Sequence, residues 1–165
     1  VKIEDDATLT LLRPGKITPD ELLCVANLKM ANAVTDKLKD GETAISPGMK
    51  YRHYAPSAPL VLLDGGRDAS IRYIISDNLA HVAVLCYSDD EAELREKLPN
   101  ASIYVLGERC DASEQAKHLF YLLREADKRG YDKIYAPLPD KEGMGLALYN
   151  RLIRAAAHTI INLRR

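Results

Sequence analysis

The sequence lacks the features that mark several classes of protein. Its 23 Lys and Arg residues are balanced by 24 Asp and Glu residues, for a net charge of -1, so no surface for tight nucleic-acid binding is indicated. No stretch approaches the ~18 consecutive apolar residues of a membrane-spanning helix. Its cysteines, Cys24, Cys86 and Cys110, are odd in number and lack Cys-x-x-Cys spacing, which argues against a disulfide framework and indicates a reducing, cytoplasmic setting.

The sequence also lacks the short motifs of common catalytic sites. Its four histidines are scattered, with no His-x-x-x-His pair, and no metal site is expected. There is no Gly-x-Gly-x-x-Gly fingerprint, no phosphate loop ending in Gly-Lys-Ser/Thr and no Gly-x-Ser-x-Gly elbow. The acidic run from Asp89 to Glu93 is interpreted as the opening of a helix, where negative charge is favourable. No catalytic residue is assigned.

Residues 59–165 carry a regular alternation of strands and helices. Four continuous apolar runs, PLVLLDG, HVAVLCYS, SIYVLGE and KIYAPLP, are typical of strands covered on both faces. Helical segments separate these strands. Asp111 and Gly130 fit the N-terminal and C-terminal caps of one of these helices. The last helix is expected over residues 142–161. The pattern predicts an α/β fold, Rossmann-like and doubly wound, with a mainly parallel sheet.

The first 58 residues are less regular. VKIE and TLTLL predict a β-hairpin, and Thr18 can cap a helix that opens with Pro19. An isolated hairpin is barely stable, so it either docks on the main domain or belongs to a domain whose body is missing. After it comes a possible helix up to Lys39, and then a linker broken by Gly and Pro.

Two glycine-containing loops follow predicted strands. Residues 64–67 (DGGR) and 140–145 (DKEGMG) would lie at the carboxyl edge of the sheet, where open α/β sheets bind ligands. The glycines of the second loop could admit an anion to a helix N-terminus. A tight turn explains the glycines of the first loop at least as well as a ligand site does. Close packing of the following helix explains those of the second loop at least as well as an anion site does.

The segment 46–59, SPGMKYRHYAPSAP, places two tyrosines among three basic or titratable side chains. One interpretation is a linker pinned by its aromatic residues to a domain surface. The other is a strap over a nucleotide, in which cationic side chains neutralise phosphates and the tyrosines stack or hydrogen-bond. The residues concerned are Lys50, Tyr51, Arg52, His53 and Tyr54.

SPGMKYRHYAP resembles the interdomain linker of the two-domain threonylcarbamoyl-adenylate synthases, which join a YrdC-like catalytic domain to an extra C-terminal domain. LLRPGKIT is similar to the end of the YrdC-like domain, and GMGLALYNRLIRAA to the closing helix of the extra domain. The resemblance implies three parts: the tail of the catalytic domain (1–25), a linker with a lid motif (26–58) and a Rossmann-like C-terminal domain (59–165).

The same resemblance implies an activity for the whole enzyme. The family condenses L-threonine, bicarbonate and ATP into threonylcarbamoyl-AMP and pyrophosphate, a nucleotidyl transfer, and downstream proteins pass the product to tRNA as the t6A modification. Arg13, Tyr54 and, less closely, Tyr51 would contact ATP, and the linker would close over the site. Lys50, Arg52 and His53 would line the lid.

The body of the catalytic domain would precede Val1. That domain would also hold the Mg²⁺ that accompanies ATP. This chain alone is then expected to be inactive and to bind no cofactor of its own. The alternative is a stand-alone regulatory or partner-docking module.

Overall fold

The computed structural model describes residues 1–35 and 55–164, except for the side chain of Ala33. Within them the N-terminal segment forms a three-stranded sheet, and the remainder forms a five-stranded sheet with helices on both faces. The strands are β1 (Lys2–Asp5), β2 (Thr8–Leu11), β3 (Asn27–Met30), β4 (Leu60–Asp64), β5 (Val82–Tyr87), β6 (Ser102–Gly107), β7 (Lys133–Pro137) and β8 (Ile160–Asn162); the helices are α1 (Pro19–Leu23), α2 (Arg67–Asp77), α3 (Glu91–Lys97), α4 (Ala112–Arg129) and α5 (Gly145–Ala155).

The N-terminal sheet has the predicted hairpin at its edge. Strands β1 and β2 are antiparallel, and β3 pairs in parallel with β2. Between them, Thr18 caps α1 with a complete capping box: its hydroxyl accepts from the amide of Glu21, whose carboxylate accepts from the amide of Thr18. The expected helix up to Lys39 is wrong over residues 27–30, because these residues complete the hydrogen bonding of β2.

The five-stranded sheet is parallel throughout, in the order β6-β5-β7-β4-β8, which confirms the predicted α/β class. Side chains of α4 and α5 form one core with one face of the sheet, and side chains of α2 and α3 form a second core with the other. Alternate strand residues point into the two cores: Leu62 and Leu85 into the first, Leu63 and Val84 into the second. Burying each such side chain contributes ~1.5–3 kcal/mol.

The end of the last helix differs from the prediction. Helix α5 stops at Ala155, because Ala157 and His158 take positive φ angles of 49° and 63° that a helix cannot continue. The chain then enters β8, whose Ile161 pairs in parallel with Leu63 of β4. The predicted helix to residue 161 is therefore too long, and its last residues supply the fifth strand.

Candidate functional site

Arg13, the predicted ATP contact that the structure describes, lies exposed in the turn after β2. The next residue, Pro14, is buried. The positive charge of Arg13 also acts on Arg154 in α5. Burial first, and then the charge of Arg13, lowers the pKa of Arg154.

The segment that carries Arg13 is docked on α5 by a small buried cluster. Leu11, Val34 and Leu146 are each at most 2% exposed and pack together. The side-chain amide of Asn150 donates a buried hydrogen bond of 2.6 Å to the carbonyl oxygen of Val34. Strand β2 and the residues after β3 therefore contact helix α5 of the C-terminal domain.

The N-terminal segment carries several exposed apolar side chains. Six large ones within residues 1–30 are between 46% and 77% exposed. Single exposed apolar residues are ordinary, but six within thirty residues are more than a small soluble surface usually carries. They are Val1, Ile3, Ile17, Leu23, Val25 and Met30.

The predicted lid residues Lys50, Tyr51, Arg52, His53 and Tyr54 lie outside the described residues. The described chain resumes at Ala55. Just beyond, the amide of Ser57 donates to Asp127 of α4 at 2.6 Å, and Ala58 is buried in the first core. The described residues Val34 and Ser57, on either side of this gap, each hydrogen-bond to a helix of the C-terminal domain.

Close packing explains one glycine in each of the two loops at the carboxyl edge of the sheet. A Cβ atom on Gly65 would lie 2.7 Å from Cβ of Leu163, and one on Gly145 would lie 2.7 Å from the carbonyl oxygen of Asp140. Gly143 has a φ of +49°. The structural interpretation of both loops is sufficient, and neither glycine pattern by itself indicates a phosphate site.

A crevice nevertheless opens beside the first loop, and we call it the carboxyl-edge crevice. Its cavity volume is about 70 Å³, well below the ~300–1,000 Å³ of typical small-molecule pockets. It lies at the ends of the neighbouring strands β4 and β7, whose following helices α2 and α5 pack on opposite faces of the sheet. Such a reversal point is where open α/β sheets bind ligands.

Three charged residues line this crevice: Arg67, Asp90 and Arg109. Nη2 of Arg109 donates to the buried carboxylate of Asp90 at 2.6 Å, and the guanidinium lies 4.3 Å from the ring centre of Tyr87. Burial disfavours charge on Arg109, but the hydrogen bonds and charges of Asp89 and Asp90 outweigh it and raise its pKa.

The loop that carries Arg109 is held from beneath by Gln115, which is 2% exposed. Its side-chain amide donates to the carbonyl oxygens of Glu108 and Arg109, at 2.6 and 3.2 Å. In the sequence, Asp90 is visible only as part of an acidic helix opening, and Arg109 belongs to no motif. Because the three charged residues lie about twenty positions apart, no local spacing could have associated them.

Among residues 1–35 and 55–164, no group of three His, Cys, Asp or Glu side chains could hold a metal ion. Over the same part of the chain, no helix is both long and apolar enough to cross a lipid bilayer.

Comparison with known proteins identifies the family. The model for the C-terminal domain of threonylcarbamoyl-AMP synthases matches residues 17–157. The threonylcarbamoyl-AMP synthase of Pyrococcus abyssi is 35% identical over an alignment of 161 positions, which covers 93% of this chain and 44% of the relative. That of Bacillus subtilis is 34% identical over 157 residues, covering 92% of this chain and 42% of the relative.

The crystal structure of P. abyssi Sua5 complexed with L-threonine has the same fold, with a TM-score of 0.74 and 34% identity. The alignment covers 94% of this chain and 44% of that one. This chain thus spans less than half the length of the relatives it matches. The linker and helix motifs of the sequence pointed to the same family, and the chain belongs to it as the C-terminal domain of threonylcarbamoyl-AMP synthases.

Proposed function

We propose that this chain is the C-terminal part of an enzyme that makes threonylcarbamoyl-AMP and pyrophosphate from L-threonine, bicarbonate and ATP. The observation that carries the proposal is the family match over residues 17–157, in a chain that spans 44% of its P. abyssi relative. That relative was crystallised with L-threonine, which supports threonine as a substrate. The product would pass to cytoplasmic proteins that complete the t6A modification of tRNA.

In this proposal the N-terminal sheet is the tail of the catalytic domain. Its exposed side chains, such as Ile3 at 73% and Val25 at 77%, would pack against the body of that domain. Within residues 1–30 only Leu11 and Pro14 are buried, which is too little for an independent core. The cluster of Leu11, Val34 and Leu146 would then join the catalytic domain to the C-terminal domain.

Arg13 would contact the phosphates of ATP. Its guanidinium is exposed, and its charge acts on Arg154, so an anion placed there would interact with two cations. Arg154 is a second candidate for this role.

The linker residues would complete the site as a lid. Tyr54 and Tyr51 would contact the nucleotide, and Lys50, Arg52 and His53 would surround it. Closing such a segment over a reactive mixed anhydride would exclude water and limit its hydrolysis. Mg²⁺ bound to ATP would be held by the part of the enzyme that this chain does not span.

An activity assay tests the proposal. This chain alone is expected to release no pyrophosphate from ATP with L-threonine and bicarbonate. The same chain joined behind the N-terminal half of the P. abyssi relative is expected to release it, and only when both co-substrates are present. Turnover by this chain alone, or none by the joined protein although it is folded and binds ATP, would contradict the proposal.

A further inference from the structure

The two faces of the five-stranded sheet carry different charge. Helices α4 and α5, on one face, contain six basic and three acidic residues. Helices α2 and α3, on the other face, contain four basic and five acidic residues. The near-neutral total charge of the sequence therefore conceals one face with an excess of positive charge, which is a feature of surfaces that attract polyanions.

Helix α4 exposes its basic side chains and partly buries its acidic ones. All four of its basic residues are exposed: Lys117, Arg124, Lys128 and Arg129. Its three acidic residues are half-buried, and two of them already have partners. Glu125 accepts from Lys128 at 2.6 Å, and Asp127 accepts from the amide of Ser57 at 2.6 Å. A molecule that approaches α4 from the solvent therefore meets mainly positive charge.

Three of these basic residues have no acidic partner. Among the residues that the structure describes, no Asp or Glu lies within ion-pair distance of Lys117, Arg124 or Arg129. The positive charge of these side chains is thus compensated by dissolved ions and not by the protein. A polyanion that binds such side chains with its phosphates releases condensed counterions of its own, and this release favours binding.

Tyr121 lies in the same exposed surface. Lys117, Tyr121, Arg124 and Lys128 are spaced by four, three and four positions, so they form one stripe ~17 Å long on the helix, which we call the α4 stripe. Tyr121 is 58% exposed, whereas every other described tyrosine and Phe120 is buried or half-buried. Over the described part of the chain, neither its ring nor its hydroxyl has a partner. Such a ring is a platform on which an unpaired base can stack.

The remaining side chains of α4 argue against two other kinds of partner. Its apolar residues Leu119, Leu123 and Ala126 are at most 2% exposed in the first core. A helix that binds a lipid surface needs a free apolar face, and α4 has none to offer. No aliphatic residue of α4 is exposed, so the stripe also lacks the apolar centre of a typical protein interface.

We propose that the α4 stripe is a docking surface for a single-stranded segment of RNA. Its cations would contact phosphates, and Tyr121 would stack on one base. RNA offers such segments because the bases of its loops and bulges are unpaired and accessible. So few phosphate contacts predict a Kd on the order of 10⁻⁵ M at low salt. This weak binding is compatible with the balanced charge of the whole sequence. The proposal does not depend on the ATP reaction, and ATP binding is expected to be independent of the stripe.

Binding can be measured on this chain by fluorescence anisotropy with a labelled single-stranded RNA of about ten nucleotides. An abasic strand of the same length is the control, because it keeps the phosphates and lacks the bases. The RNA is expected to bind saturably and about tenfold more tightly than the abasic strand. With three phosphate contacts, the logarithm of the binding constant is expected to fall against the logarithm of the salt concentration with a slope of about -2.

Variants of this chain locate the binding on α4. Tyr121→Ala is expected to weaken RNA binding about tenfold, whereas Tyr121→Phe keeps the ring and is expected to bind normally. The double variant Lys117→Gln, Arg124→Gln is expected to make the salt slope shallower by about 1.4. Its matched control is Arg72→Gln, Lys97→Gln, which removes the same charge from exposed positions on the opposite face of the sheet. Melting curves establish that each variant is folded.

Each outcome bears on the proposal directly. RNA binding that falls in Tyr121→Ala and in the Lys117, Arg124 double variant, and persists in the Arg72, Lys97 control, supports it. Absence of saturation at ~10⁻⁴ M protein and low salt overturns it. So does equal binding of the abasic strand, an equal loss in the two double variants, or binding to phosphatidylserine vesicles in place of RNA. Pyrophosphate release by the joined protein tests the ATP reaction separately, so the two proposals can fail independently.

Discussion

The side-chain amide of Asn150 donates to the carbonyl oxygen of Val34 at 2.6 Å, and both residues are at most 4% exposed. The bond joins helix α5 to the N-terminal segment across 116 residues of sequence. It fixes the position of the segment that carries Arg13 relative to the C-terminal domain.

Replacing Asn150 by Ala is expected to destabilise this junction. The carbonyl of Val34 would stay buried without its donor, at a cost of about 1–3 kcal/mol in the free energy of unfolding. Urea denaturation measures the loss, and amide exchange in β2 and β3 is expected to accelerate. Asn100→Ala, at an exposed turn, is the control and is expected to change little. Equal stability of the two variants would show that Asn150 does not hold the junction.

The network around Asp77 predicts a dependence of stability on pH. Asp77 accepts hydrogen bonds from Lys133, at 2.6 Å, and from the hydroxyl of Tyr135. These bonds, that of Lys133 first, lower the pKa of Asp77. Because the pKa is lower in the folded state, the stabilisation is present above the unfolded pKa of about 4 and is lost as pH falls through the folded pKa.

Asp77→Asn is therefore expected to reduce the free energy of unfolding at neutral pH, on the order of 1 kcal/mol given the partial exposure of the pair. The difference from the unmodified protein is expected to shrink in acid. Denaturation curves across the acid range measure this. Asp132→Asn, at an exposed position, is the control. A difference that stays constant down to strongly acidic pH would contradict the assignment.

The three thiols are expected to differ in reactivity. Burial, and then the charges of Asp90 and Glu91, raises the pKa of Cys86 to about 12, while Cys24 and Cys110 are exposed. The reactive thiolate of Cys86 is therefore scarce near neutral pH. Iodoacetamide should label two thiols quickly in the folded protein and the third only after unfolding, as measured by mass spectrometry. Fast labelling of Cys86 in the folded protein would refute the burial argument.

The lid is tested by Tyr54→Ala in the protein joined to the N-terminal half of the P. abyssi relative. If Tyr54 stacks on the nucleotide, the loss is expected to weaken ATP binding about tenfold. Tyr121→Ala is the matched control, because Tyr121 is 58% exposed on α4. Unchanged ATP affinity in Tyr54→Ala would contradict the proposed lid.

The sequence predicted those parts of the fold that depend on local signals. Continuous apolar runs identified β4 to β7, and the caps at Thr18, Asp111 and Gly130 formed as expected. Strand β8 was missed because it has three residues and continues the apolar end of a helix pattern. Only the backbone reversal at Ala157 and His158 separates the two, and neither residue is a glycine that would have marked it.

The sites were predictable to different degrees. Arg13 and the linker residues were found from motifs that are contiguous in sequence. The group of Arg67, Asp90 and Arg109 depends on the tertiary structure, since these residues follow β4, β5 and β6, whose carboxyl ends lie at one edge of the parallel sheet. That arrangement follows from the packing of the whole domain, so no short segment encodes it.

The most direct test of the central claim is a calorimetric titration with ATP of this chain and of the same chain joined to the N-terminal half of the P. abyssi relative. The nucleotide site is proposed to be shared between Arg13, the linker and the part of the enzyme that this chain does not span. Saturable binding by the joined protein alone is the expected result. Tight binding of ATP by this chain alone would contradict the claim and place a complete nucleotide site within these residues.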